Sequence, residues 1–446
     1  MTTILAIKFR VQLQTYFKPH FSRLAFPAIA GTIILFWSIL GNNYQSIGID
    51  INETYLDSRA EINMLGLGVY TLLEFSDKNN ASEPENYSHS IVNTIQQYKV
   101  HNTENTLRPT VILILAESLF DADSIPNITF NKELLSNLSP YKVANLLSPI
   151  YGGRTASAEF EVLTGLSSLF IPGDVVPYTA YFNKYGDIAG SLAREFRNNG
   201  YYTYAVHANI ETYYNRNIAY FNMGFNDFIS IEDMELNKND YLADGLVSDA
   251  AFVDQILNIL KANEVPVFIF GASLESHSPY LYKYESTDIL AHSDIYSENI
   301  LNEVSSYAQS VYNFDQQMGR LIAHFEQLDK PVLIYIFGDH KPPLKVNELN
   351  GCLDNDWQKY QVPLYAYSNY CDVSVEQEWL SMNQIAPEIL RKSGVLYNAY
   401  FDYIYSLRNN YPVIHKNVID NWECEELQLY NAIQWDLLFG WDYLLR

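Results

Sequence analysis

Residues 111–117 have the sequence VILILAE, in which six aliphatic or small residues run without interruption into a carboxylate. An apolar run without polar alternation is typical of a strand that is buried on both faces, as in a parallel sheet. Three similar runs follow along the chain, at Tyr202–Val206, Val265–Gly271 and Val332–Phe337. Each run predicts a further buried strand.

Helical segments lie between these runs. We predict helices over Asp249–Lys261 and Tyr307–Gln327, and the second has apolar residues at helical spacing along one face. These are Val311, Phe314, Met318, Leu321, Ile322 and Phe325. The alternation of strands and helices predicts an α/β fold, with a mixed, largely parallel sheet sandwiched by helices. A chain of 446 residues suits one large domain of this kind with an N-terminal appendage.

The N-terminal region predicts a membrane anchor. Residues 1–23 contain four basic and no acidic residues, and residues 24–41 are 18 residues without a charge. That length is just enough to span a bilayer, and basic residues before a span place the N-terminus in the cytoplasm. We therefore expect a basic cytoplasmic segment followed by a single transmembrane helix. A cleaved signal peptide and a buried core helix are the alternatives.

The remainder of the chain is then expected outside the cytoplasm, held at the cell's inner (cytoplasmic) membrane. Within residues 42–108 we predict a juxtamembrane helix and a linker, since residues 62–75 are apolar but too short for a second span. Residues 109–446 form the predicted extracytoplasmic catalytic domain. Its expected surroundings suggest a disulfide between Cys352 and Cys371, with free thiols as the alternative.

The overall charge excludes one class of partner. The formal net charge is −24, and a field of that sign repels nucleic acid. An anionic small molecule would need a local positive centre instead, which a bound metal ion can supply.

Polar side chains follow three of the predicted strands at the point where each strand ends. Glu117 follows the first, His277 comes shortly after the third, and Asp339 and His340 follow the fourth. In open α/β sheets the carboxyl ends of the strands form the binding edge. Two carboxylates and an imidazole suit a divalent ion, although an Asp-His pair in a turn is more often an ordinary solvated turn.

Residues 151–165, YGGRTASAEFEVLTG, predict a glycine turn followed by a helix that begins at Thr155. The start of a helix offers free N–H groups and positive dipole charge, which favour a phosphoryl or sulfuryl group. A threonine hydroxyl there can attack phosphorus once a metal lowers its pKa. The simpler alternative is an N-terminal cap, with Glu159 acting only as a helix former.

Taken in order, six segments resemble motifs of the alkaline phosphatase superfamily, and within it the sulfatase-like branch of lipoteichoic acid synthase and phosphoglycerol transferases. They are ILILAESL, GGRTASAEF, HANIETYYNRNIAYFNMGFNDF, LESHSPY, FGDHKPP and YNAIQWDLLFGWDYL. This resemblance extends from about residue 62 to the end of the chain. It implies an alkaline phosphatase/sulfatase-like fold.

The resemblance also implies the residues of the site. Thr155 is the implied nucleophile, and one divalent ion is implied, with Mn favoured and Zn or Mg as alternatives. The implied metal ligands are Glu117, Thr155, Asp339 and His340, and the implied substrate residues are His207, Tyr214, Arg216 and His277. Tyr214 stands where the synthase has tryptophan. Arg216 has the planar fork that clamps a phosphate, and His207 and His277 can donate to a leaving or attacking oxygen.

The function that follows is that of a membrane-anchored phosphoglycerol transferase with a phospho-threonine intermediate. The expected donor is a phosphatidylglycerol-like phospholipid, and the expected acceptor is a cell-envelope glycan or glycolipid. A phosphoethanolamine transferase, a sulfatase-like phosphodiesterase or hydrolase, and a non-catalytic glycan-binding relative are the alternatives. A sulfatase is disfavoured because the segment after Arg154 lacks the C/S-x-P-x-R motif.

Overall fold

The computed structural model describes residues 83–97, 107–171, 175–182, 190–328, 330–349, 357–419, 422–441 and 443–444, all within one compact unit. The predicted transmembrane segment, residues 24–41, and the predicted interfacial helix at 62–75 lie outside these residues and stay predictions. No helix in the described part of the chain is long and apolar enough to cross a bilayer.

The strands found in the described residues form one large sheet and one small pair. In chain order they are β1 (Thr110–Ala116), β2 (Thr129–Phe130), β3 (Lys142–Leu147), β4 (Tyr202–His207), β5 (Asp227–Ile229), β6 (Val267–Ala272), β7 (Ala291–His292), β8 (Val332–Gly338), β9 (Gln361–Ser368) and β10 (Trp379–Ser381). The large sheet has the order β10-β3-β9-β8-β1-β6-β4-β5, and β2 pairs with β7. Only β9 runs against the other strands of the described large sheet, so it is mixed but mostly parallel.

The α-helices of the described residues cover this sheet. In chain order they are α1 (His89–Val92), α2 (Thr155–Thr164), α3 (Pro177–Ala180), α4 (Leu192–Asn198), α5 (Arg216–Asn222), α6 (Asp249–Ala262), α7 (Glu298–Glu326), α8 (Lys345–Leu349), α9 (Ile385–Ser393), α10 (Ala399–Leu407) and α11 (Glu425–Phe439).

Strand β1 lies at the centre because both of its faces are apolar. Val111, Leu113 and Leu115 pack into a core that includes residues of α2, α4, α9, α10 and α11. Ile112 and Ile114 point the other way, into a second core formed with α6 and α7. A strand's side chains alternate between faces, so a strand between two cores has no polar positions to alternate. The predicted α/β sandwich is confirmed.

The predicted elements match with shifts at their ends. The strand predicted from Val265 begins at Val267, since Pro266 has no N–H to donate to a ladder. The helix predicted over Tyr307–Gln327 begins nine residues earlier, at Glu298. Its first turns contain Ile300, Leu301 and Val304, which pack on the same core as the rest of the helix, so the apolar periodicity begins earlier than the predicted helix.

One glycine allows two parts of the site edge to approach closely. Gly338 ends β8, and a Cβ at this position would lie 2.0 Å from the carbonyl oxygen of Leu119 and 3.1 Å from the Val362 Cβ. A backbone oxygen cannot rotate away as a side chain can. Any larger residue must therefore separate β8 from the segment that follows β1.

We predict that Gly338→Ala lowers the free energy of unfolding by about 1–3 kcal/mol, because the added methyl group forces the backbone apart. Urea unfolding of the two proteins at equal concentration measures the change. Gly190→Ala is the matched control, since its Cβ would meet side-chain atoms of Leu437 and Tyr400 that can adjust. Equal stability of Gly338→Ala and the parent would contradict the close approach.

Candidate active site

The site begins with the register between two neighbouring strands. β1 and β8 are parallel, and Ala116 is paired with Gly338. The next residue on each strand is Glu117 on one side and Asp339 on the other. Adjacent parallel strands in register end together, so the two carboxylates meet at one edge of the sheet.

Glu117, Asp339 and His340 form a buried cluster whose ligand atoms all lie within 4.8 Å of one another. The His340 Nε2 atom lies 3.6 Å from Glu117 Oε1 and 3.3 Å from Asp339 Oδ2. A turn makes this possible for two adjacent residues. Asp339 Oδ1 accepts hydrogen bonds from the backbone N–H of Ser118, at 2.7 Å, and of His340, at 2.8 Å.

The donor set fits a divalent cation. Asp339 Oδ2 and His340 Nε2 are both buried, and neither has a hydrogen-bond partner among the described residues. His340 Nδ1 donates to the carbonyl of Lys341 at 3.1 Å, so a neutral imidazole carries a lone pair on Nε2. Two lone pairs that face each other in a buried space leave a gap that suits a cation. Two carboxylate oxygens and one imidazole nitrogen are ligands that Mn and Zn both accept.

The pKa values of Glu117 and Asp339 also favour a cation site. Burial and the neighbouring Glu117 carboxylate raise the pKa of Asp339 to about 7. Burial also acts to raise the pKa of Glu117, but His277 and His340 hold it below its usual value. Two buried carboxylates are difficult to ionise together without a cation between them. A divalent ion would stabilise both charges.

Thr155 lies against this cluster as the first residue of α2. Its hydroxyl donates to Glu117 Oε2 at 3.4 Å. Arg154, just before the helix, has a left-handed backbone with φ 66°. The same turn is tied to the other ligands, since the Gly152 N–H donates to the Lys341 carbonyl at 3.2 Å. The hydroxyl therefore sits at a helix start, where positive dipole charge favours a phosphoryl group.

His207 ends β4 and is buried beside the cluster. Its Nδ1 donates to the carbonyl of Ala272 at 2.9 Å, since a carbonyl can only accept. Burial and then Arg216 lower the pKa of His207 to about 3, so the ring is neutral near pH 7. With Nδ1–H bonded in this way, Nε2 of the neutral ring carries a lone pair, and the substrate role predicted for His207 stays a prediction.

Arg216 begins α5, but its environment differs from the predicted open clamp. The side chain is buried, and Glu159 of α2 occupies one edge of its guanidinium group. Rings of Tyr213 and Tyr214 lie near its Cζ atom, at 6.0 Å and 5.2 Å to the centroids. Glu159 belongs to the motif GGRTASAEF, but its sequence context predicts no role for it at the site, and the simpler alternative made it a helix former. Its position one turn after Thr155 is the signal that could have identified it.

His277 is the one exposed member of the predicted set. It lies in the segment that follows β6, and its Nδ1 donates to the carbonyl of Ser278 at 2.6 Å. His207, His277 and Tyr214 all interact electrostatically with Glu117. The predicted ligands and substrate residues thus share one edge of the sheet, while their individual roles stay predictions.

Two of the three cysteines, Cys371 and Cys424, are among the described residues. Neither forms a disulfide with another described residue, and the Tyr411 hydroxyl lies 3.1 Å from Cys424 Sγ. Cys352 lies outside the described residues, so its predicted bond to Cys371 stays a prediction.

A mostly parallel sheet that holds a buried carboxylate–histidine cluster beside a threonine at a helix start defines an enzyme of the alkaline phosphatase superfamily. The chain belongs to the Sulfatase family, whose model matches residues 109–395.

Two curated relatives extend this result. A putative cyclic beta-1,2-glucan modification protein of Rhizobium meliloti (strain 1021) is 28% identical over 363 residues, which are 75% of this chain and 56% of that protein. Lipoteichoic acid synthase 2 of Bacillus subtilis (strain 168) is 22% identical over 341 residues, which are 72% of this chain and 50% of that protein. The chain spans about half the length of these relatives.

A solved structure shows the same fold. The Streptococcus pyogenes phosphoglycerol transferase GacH, in complex with sn-glycerol-1-phosphate, superposes with a TM-score of 0.68 at 24% identity. The alignment covers 82% of this chain and 97% of GacH.

We predict that the full chain binds one equivalent of Mn and that Asp339→Asn weakens this binding by more than about 100-fold, since an amide cannot replace the negative charge of a ligand. Elemental analysis after Mn loading and dialysis measures the stoichiometry, and titration calorimetry measures the affinity. Asp372→Asn, at an exposed surface carboxylate, is the control and should bind as the parent does. Parent protein that retains neither Mn nor Zn would refute the site.

Proposed function

We propose that this chain is a metal-dependent phosphotransferase that moves a phosphoglycerol group from a phospholipid to a cell-envelope glycan through a phospho-threonine intermediate. The observation that carries the proposal is the Thr155 hydroxyl, 3.4 Å from Glu117 Oε2 and beside the unpartnered Asp339 Oδ2 and His340 Nε2 atoms. A nucleophile beside a cation site is an arrangement that can catalyse phosphoryl transfer through a covalent intermediate.

In the proposed first step, Thr155 Oγ1 loses its proton to solvent and attacks the phosphorus of the lipid. A divalent ion held by Glu117, Asp339 and His340 would favour the ionised hydroxyl and stabilise charge on the phosphoryl oxygens. The bond from phosphorus to the diacylglycerol oxygen breaks, and that oxygen leaves with a proton. His277, exposed at the same edge, is the proposed donor of this proton.

In the proposed second step, a glycan hydroxyl attacks phospho-Thr155 and releases the threonine. His277, which gave its proton to the leaving diacylglycerol, takes one from the attacking hydroxyl and so ends the cycle protonated again. His207 holds its Nδ1–H on the carbonyl of Ala272, and its Nε2 lone pair can accept a hydrogen bond from a substrate hydroxyl.

A lipid donor is supported by the surface around Arg216. Four large apolar side chains on the segment that contains it are 41–51% exposed. They are Ile210, Tyr213, Ile218 and Phe221. Apolar side chains beside a phosphate site suit a headgroup that arrives at a membrane surface. The proposed anchor at residues 24–41 would hold the domain at such a surface, outside the cytoplasm.

Similar proteins support phosphoglycerol as the transferred group. GacH is a phosphoglycerol transferase seen with sn-glycerol-1-phosphate, and one matching relative is a lipoteichoic acid synthase. The glucan-modifying relative supports a glycan acceptor. The donor, the acceptor and the intermediate remain proposals for this chain.

We predict that Thr155→Ala lowers diacylglycerol release from phosphatidylglycerol vesicles by at least about 10³-fold, since it removes the hydroxyl that would attack phosphorus. Fluorescent diacylglycerol is measured with full-length, Mn-loaded protein. Thr164→Ala, at the other end of α2, is the matched control, because its hydroxyl bonds only the local backbone at Phe160 and Leu166. Parent-like turnover by Thr155→Ala, at equal metal content, would exclude the phospho-threonine.

The same vesicles test the donor. Phosphatidylglycerol should react faster than phosphatidylethanolamine mixed into the same membrane. A faster ethanolamine lipid would make the chain a phosphoethanolamine transferase. If a soluble diester is cleaved and neither lipid reacts, the chain is a phosphodiesterase.

A further inference from the structure

Glu159 is a fully buried carboxylate that the proposed chemistry does not use. It lies on α2, one turn after Thr155, and none of its surface is exposed. Oε1 accepts from Arg216 Nη2 at 2.6 Å and from Nε at 3.1 Å, while Oε2 accepts from the Tyr220 hydroxyl at 2.8 Å. Three directional bonds therefore hold this carboxylate in place.

These bonds determine which part of Arg216 remains for a substrate. The carboxylate covers the side edge of the guanidinium, formed by Nε and Nη2. Among the residues that the structure describes, the end edge, formed by Nη1 and the second proton of Nη2, makes only a long 3.5 Å contact, from Nη1 to the Tyr213 carbonyl. A guanidinium has five N–H donors, so its end edge can still make paired bonds to a phosphate.

The pair also changes the charge of the site. Burial by itself would lower the pKa of Arg216, but Glu159 and Tyr220 raise it above its usual value, so the group stays charged. Its single positive charge is matched by the single negative charge of Glu159. Arg216 therefore offers oriented N–H groups with no net charge added to the site.

The same count holds around the proposed cation. Two carboxylate ligands, Glu117 and Asp339, would balance the two positive charges of one divalent ion. A phosphodiester has one negative charge, whereas a phosphomonoester has nearly two at pH 8, because its second pKa is about 6. A site balanced in this way holds a singly charged group with less uncompensated charge than a doubly charged one.

We propose that Glu159 is a positioning and specificity-determining residue, which turns the end edge of Arg216 toward the phosphoryl group and cancels its charge so that the site selects phosphodiesters over phosphomonoesters. This inference rests on the proposed phosphotransfer at Thr155. In this proposal the Glu159–Arg216 pair determines whether the site prefers a singly or a doubly charged phosphate ester. It does not determine which lipid headgroup is bound.

Two substitutions separate charge from position. Glu159→Gln keeps one oxygen to accept from Arg216 but removes the negative charge. The ratio of monoester to diester turnover should then rise about tenfold, as one added positive charge favours the dianion. Glu159→Ala removes the acceptor as well, so Arg216 loses its orientation and kcat/KM for both substrates should fall by about 10²-fold or more.

The substrates are bis(p-nitrophenyl) phosphate and p-nitrophenyl phosphate, with Mn-loaded full-length protein at pH 8. Glu161→Gln is the matched control, because it removes a second buried carboxylate from α2 that bonds Ser168 and not Arg216. Burial raises the pKa of Glu161 to about 8, so at pH 8 this change removes about half a negative charge. Because Glu161 bonds Ser168 and not Arg216, the substrate ratio should shift far less than it does with Glu159→Gln.

Binding supplies a readout that does not depend on turnover. Calorimetry should show that Glu159→Gln binds inorganic phosphate more tightly relative to dimethyl phosphate than the parent does. Equal losses for both substrates with an unchanged ratio and an unchanged binding preference would leave Glu159 a purely structural residue and overturn the proposal. A parent enzyme that prefers the monoester would overturn it as well.

The outcome for Glu159 can be distinguished from the outcome of the lipid experiment that tests the proposed function. If neither lipid reacts but Glu159→Gln still shifts the ratio or the binding preference, the lipid donor is wrong and the role of Glu159 stands. If phosphatidylglycerol reacts and the ratio does not shift, phosphotransfer stands and the role of Glu159 is wrong.

Discussion

The arrangement of the site depends on the parallel pairing of β1 with β8. Pairing of Ala116 with Gly338 brings Glu117 and Asp339 side by side as the strands end. A shift of one residue would turn one of these side chains toward the opposite face of the sheet. The glycine is part of the same constraint, because a Cβ there would meet the Leu119 carbonyl. The ligand geometry therefore depends on the close packing of β8 against the segment that follows β1.

The second feature of the site is that charged side chains are buried away from water. Asp339 and Glu159 are both fully buried, and such charges are costly unless they are paired or bind a metal. The two carboxylates differ in how their charge is compensated. Glu159 has a complete set of partners from Arg216 and Tyr220, whereas Asp339 keeps one unpartnered oxygen that faces His340. The complete pair provides rigidity, and the incomplete one provides a place for a cation.

Helix α2 connects these two parts. Thr155 begins it beside the cation cluster, and Glu159 lies one turn further along, against Arg216. Residues four apart on a helix lie on one face, so the nucleophile and the carboxylate that positions Arg216 move as a single rigid unit. The distance between the attacking hydroxyl and the phosphate-binding edge is therefore set by a helical turn rather than by a flexible loop.

The sequence by itself determined the central strands, the family and the residues that meet at the sheet edge, since apolar runs such as VILILA and the polar residues after them are local signals. It did not show that Glu159 covers one edge of Arg216, because the two are 57 residues apart and only packing brings them together. Nor did it show that His207 Nδ1 bonds the carbonyl of Ala272, which lies 65 residues further along the chain and is brought close by the pairing of β4 with β6. Which atoms carry protons, and which charges cancel, depends on neighbours distant along the chain, and only the tertiary structure decided them.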